Sequence, residues 1–60
     1  MNDTRWEVRV NGNPKMPLCD TLEEAEERYI EYIRDNPKID CAVYREDADE
    51  EEEPVIAYSG

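Results

Sequence analysis

Sixty residues leave room for one domain, 1–60, and a chain this short buries only about 60% of its unfolded surface, so nearly every apolar side chain is needed for folding and little scaffold remains for an enclosed catalytic cleft. Seventeen carboxylates against seven Lys and Arg give a net charge of −10, beyond the magnitude of about 2 to 8 that solubility asks of a small domain. Such a surface repels nucleic acid and anionic lipid, and it attracts basic protein surfaces, including those that hold DNA or RNA.

Arg5 to Val10 alternates, with Trp6, Val8 and Val10 on one face and Arg5, Glu7 and Arg9 on the other, which predicts a half-buried strand. Asn11-Gly12-Asn13-Pro14 ends it in a turn, and Pro17 keeps the chain extended to Asp20. A helix is predicted from about Thr21 to Asp35. Its N-cap is Asp20 with Glu23 closing a capping box, or, in the alternative register, Thr21 with Glu24. Leu22, Ala25, Tyr29 and Ile33 form its apolar stripe, flanked by Ile30 and Tyr32, and Pro37 stops it. Ile39, Cys41 and Val43 alternate with Asp40, Ala42 and Tyr44 as a second strand, and Val55 to Tyr58 reads as a third. The predicted core is Trp6, Val8, Val10, Leu22, Ala25, Tyr29, Ile33, Cys41 and Val43, and the opposite sheet face is expected to be polar.

The expected fold is α+β in the order β-α-β-β, a three-stranded, mainly antiparallel sheet with one helix on one face. A last strand lying between the other two makes the sheet wholly antiparallel, the 1-3-2 order we prefer. Adjacent first and second strands would instead need a parallel, right-handed crossover.

Catalytic equipment is missing from the sequence. There is no His, the hydroxyls outside tyrosine are Thr4, Thr21 and Ser59, and neither Cys19 nor Cys41 has a histidine to activate it. The two glycines, Gly12 and Gly60, make no phosphate loop. Asp47 to Glu51 lacks the glycine and flanking helices of a calcium loop, and two Cys without His leave zinc short of ligands. No enzyme activity, cofactor or metal site is expected. The N-terminus is polar and no apolar run approaches membrane length, so the expected setting is cytosolic, with reduced thiols favoured over a disulfide.

What remains is charge. Helical spacing of 100° per residue aligns Asp20, Glu24, Glu27, Glu31 and Asp35 opposite the apolar stripe, with Glu23 beside them. Successive members are roughly 4.5 to 6 Å apart along the axis, against about 3.4 Å per phosphate on one strand of B-DNA. Glu46, Asp47, Asp49, Glu50, Glu51, Glu52 and Glu53 form a second cluster, expected as a solvated loop closed by Pro54. An ordinary solvated helix face would pair its acids, as Glu24 with Arg28, but Arg28 and Arg34 are too few for this one.

In size, charge and compact helix-plus-sheet layout the chain resembles the small acidic inhibitors of phages and prophages, in particular anti-CRISPR proteins that mimic DNA and block a type I (Cascade) effector complex. The resemblance implies a partner with a Lys/Arg-lined nucleic-acid site, in the host bacterial cytosol, bound by a monomer or weak homodimer without direct nucleic-acid or membrane contact. The run Trp6-Glu7-Val8-Arg9-Val10 followed by Thr21-Leu22-Glu23-Glu24-Ala25 and late strands is also similar in layout to the small phage inhibitor of bacterial RNA polymerase, which implies a basic part of the polymerase jaw. A third reading is a structural or regulatory subunit whose acidity keeps it soluble.

Overall fold

The structure, a computed structural model, describes residues 4–49 and 51–60. Five elements follow one another: β1 (Trp6–Val10), β2 (Asn13–Cys19), α1 (Leu22–Asp35), β3 (Cys41–Arg45) and β4 (Ile56–Tyr58). The strands form one sheet in the order β2-β1-β3-β4, with every neighbouring pair antiparallel. The class is therefore α+β, as the patterning predicts, with four strands instead of three.

The additional strand is β2, in the stretch expected to be merely extended. Asn11 and Gly12 have φ of 52° and 83°. Two consecutive positive φ values define the tight two-residue turn whose twist matches a β-hairpin, and Asn-Gly is its preferred sequence. Val10 accordingly pairs with Asn13 across the turn. Pro14 and Pro17 lack ladder donors, which suits an edge strand, and the register slips so that Trp6 faces Cys19 while Val8 faces Lys15.

This hairpin also corrects the strand order. β2 returns the chain to the end where β1 began, so α1 delivers β3 alongside β1 in the opposite direction, with Val8 against Val43 and Val10 against Cys41. The first and second predicted strands are neighbours after all, and they pair without a parallel crossover. The last strand takes the outer edge instead of the middle.

Thr21 and Glu24 provide the helix start, in preference to Asp20 and Glu23. Thr21 is extended, and its Oγ1 accepts from the Glu24 N–H at 3.2 Å, while the Asp20 N–H donates to Glu24 Oε2 at 3.4 Å. At the other end the Asn36 N–H donates to the Tyr32 carbonyl at 3.0 Å, and Pro37 follows.

The helix packs on β1, β2 and β3, and β4 joins the core through Ile56. Val8, Cys19, Ala25, Ile39, Cys41 and Val43 are buried, and Trp6, Val10, Leu22, Tyr29, Tyr32, Ile33 and Ile56 close around them. Cys19, Ile39, Tyr32 and Ile56 thus join the predicted core. Cys19 comes with the unexpected strand, and Ile39 shares the alternation of Cys41 and Val43.

Candidate functional site: an acidic end of the sheet

Register brings the start of the helix row and the acidic loop to one end of the fold. Trp6 pairs with Cys19 on one side and Arg45 on the other, so the chain leaves β2 into Asp20 and leaves β3 into Glu46 at the same end. Arg5 lies between them: its Nε is 4.0 Å from Asp20 Oδ1, and its carbonyl accepts from the Glu46 N–H at 2.8 Å. Glu23 and Glu24 stand in the first turn of α1, where the helix dipole favours negative charge.

The loop from β3 to β4 holds the rest. Ala48 N–H donates to the Arg45 carbonyl at 3.1 Å and Glu52 N–H to the Asp49 carbonyl at 3.0 Å, two turns that fold the acidic run back on itself. Arg45 organises it, with Nε 3.7 Å from Asp47 Oδ1 and Nη2 3.4 Å from Glu52 Oε1. These are exposed pairs of small energetic worth, so they orient the loop more than they stabilise the fold.

Asp20, Glu23, Glu24, Glu27, Glu31, Asp35, Glu46, Asp47, Asp49, Glu51, Glu52 and Glu53 are all exposed, and Glu50 lies outside the described residues. Glu24, Glu27, Glu31 and Asp35 follow one line along the rigid helix over about 16 Å. The Glu24 to Arg28 pair of an ordinary solvated face is not made. Arg28 turns to β2 and donates from Nη1 to the Pro17 carbonyl at 2.5 Å. Among the described residues no helix carboxylate has a cation within 4.0 Å. Three like-charge pairs one turn apart, Glu23/Glu27, Glu27/Glu31 and Glu31/Asp35, each cost helix formation about 0.2 to 0.5 kcal/mol.

The sheet face away from the helix is the other exposed surface. Arg9 is paired with Glu7 and lies over the Tyr44 ring, 4.1 Å from its centroid. The hydrogen bond from Arg9 to Glu7 raises the guanidinium pKa, against a smaller opposing effect of burial. The small side chains of the Ala42–Ala57 pair leave an open trough of about 360 Å³, walled by Arg9, Tyr44, Pro54 and Ser59. Cys41 and Asp40 also line it, and the Asp40 carboxylate accepts from the Ser59 hydroxyl at 3.2 Å.

Among the described residues no group of three His, Cys, Asp or Glu side chains is placed to hold a metal ion, and no helix is long and apolar enough to cross a membrane. Cys19 and Cys41 are free and buried. They sit on β2 and β3 with β1 between, which separates them by about 9 to 10 Å laterally, and at opposite ends of β1, too far to bridge. Comparison with known proteins adds no relative: no family model, no curated protein and no solved structure matches the chain.

Proposed function

We propose that this chain is a non-catalytic inhibitor that occupies the lysine- and arginine-lined nucleic-acid site of a protein complex, its carboxylates standing in for phosphates. One observation carries the reading: a helix row of carboxylates without ion pairs among the described residues begins at the same end of the sheet as the acidic loop. Like charges one turn apart along that row act against folding, and a partner that supplies the missing cations accounts for them. A DNA-binding effector complex of the type I CRISPR class, in a bacterial cytosol, is the first target to try.

The decisive assay is competition. The chain should displace duplex DNA from such a complex, and its binding should weaken steeply with salt, because exposed charges are screened within about 8 to 10 Å at physiological ionic strength. A variant with Glu24, Glu27 and Glu31 changed to Lys, and a second with Glu51, Glu52 and Glu53 changed to Ser, should keep the circular dichroism of the parent. At least one should lose binding, the helix variant more, since a rigid row loses less entropy on association than a loop. Two folded variants that both bind at full strength would sink the mechanism.

A further inference from the structure

The two outer edges of the sheet differ in a way that points to a partner. On β2, Pro14 and Pro17 have no N–H to offer, and the Pro17 carbonyl is taken by Arg28. That edge is closed to another strand. On β4, Ile56 to Tyr58 contains neither proline nor charge, and the strand pairs with β3 alone. Ala57 is exposed, as is Val55 just before it. In an antiparallel ladder alternate residues of the outer strand turn N–H and C=O away from their neighbour, so β4 offers unpaired main-chain groups outward. Proteins usually guard such an edge. Here Glu51, Glu52 and Glu53 lead into it through Pro54.

We propose that the edge of β4 receives a lysine- or arginine-rich extended segment of a protein partner, which adds to the sheet as a fifth strand with its cations beside the loop carboxylates. Main-chain bonds would supply affinity, and the adjoining acids would select for positive side chains. A second copy of this chain is a poor occupant, because each copy carries a charge of −10. The inference deepens the proposed function and rests on its basic partner, adding a main-chain component to what is otherwise contact between charges.

The test uses the intact chain and two synthetic peptides alternating lysine and valine, one ordinary and one with every backbone nitrogen methylated. Both carry the same charge, but only the first can extend a sheet. The ordinary peptide should bind about tenfold or more tightly than the methylated one, and it should slow amide exchange within residues 55–58. Equal binding of the two, or protection confined to other residues, would overturn the edge site while leaving charge mimicry standing. Failure of the chain to compete with DNA, alongside peptide-dependent protection of 55–58, would do the reverse. Self-association through β4 in the absence of peptide would overturn the choice of occupant.

Discussion

The two ends of the sheet are built from different interactions. At the hairpin end the chain is stitched by bonds that do not depend on paired charges. Asn11 N–H donates to the Asp40 carbonyl at 2.7 Å and Asn11 Oδ1 accepts from the Asp40 N–H at 3.0 Å. The Tyr58 hydroxyl donates to the Pro37 carbonyl at 2.8 Å, and the Ser59 hydroxyl donates to Asp40 Oδ1 at 3.2 Å. Gly60 lies so close to this corner that a Cβ there would come within 2.5 Å of the Lys38 carbonyl carbon. At the other end Arg5 and Arg45 hold an excess of carboxylates that no buried contact requires. The contrast teaches that stability and binding are separable here. One end closes the core, and the other displays charge at some cost to folding.

The largest expected effect breaks the hairpin end. Ile39 is buried where the loop after α1 enters β3, and Ile39→Ala should cost about 2 to 5 kcal/mol, a large share of the stability of a domain this small. Urea unfolding would measure it, and a midpoint near that of the parent would show that this corner does not hold the core.

Gly12→Ala comes next. A Cβ at Gly12 would meet no atom within 4 Å, so the cost is the positive φ alone, about 1 to 2 kcal/mol by thermal melting, with binding unaffected. A loss of binding in the folded variant would break the separation of the two ends.

Along the helix row that starts at the acidic end the sign reverses. Glu27→Gln with Glu31→Gln removes three like-charge helix pairs and should stabilise the fold by about 0.5 to 1 kcal/mol at low salt, a gain that shrinks as salt screens the parent. The same change should weaken binding. Destabilisation would mean that these carboxylates have a structural role.

The smallest effect is nil at neutral pH. Burial raises the pKa of the Cys41 thiol, with a smaller opposing influence of the Ala42 backbone, and burial likewise raises that of the Tyr29 hydroxyl. The folded chain then holds these protons more tightly than the unfolded chain. Stability is therefore unaffected below the ordinary thiol range and falls as pH rises through it and above. Cys41→Ala should move the onset of alkaline destabilisation up toward the tyrosine range, as followed by circular dichroism. An unchanged onset would show that the thiol does not control it.

Local signals in the sequence were enough for much of this architecture. The two-residue period of Trp6 to Val10, the spacing of Leu22, Ala25, Tyr29 and Ile33, and the stop at Pro37 each act within one element, and each element formed where its pattern lay. The exposure of Glu46, Asp47, Asp49, Glu51, Glu52 and Glu53 was legible for the same reason, since no sheet or helix can bury such a run. The hairpin was written as Asn11-Gly12, but Pro14 and Pro17 obscured β2, because a proline-bearing strand is possible only at an edge, and an edge exists only once the whole sheet does. Strand order followed from that missed reversal. The choice of Pro17 over Glu24 as the partner of Arg28, and the meeting of the start of the helix row with the acidic loop at one end, likewise depend on which strands lie side by side. Period and composition determine which residues face the core and how much charge the surface carries. Only the pairing of β1 with both β2 and β3 decides where that charge is gathered, because register links residues far apart in the chain.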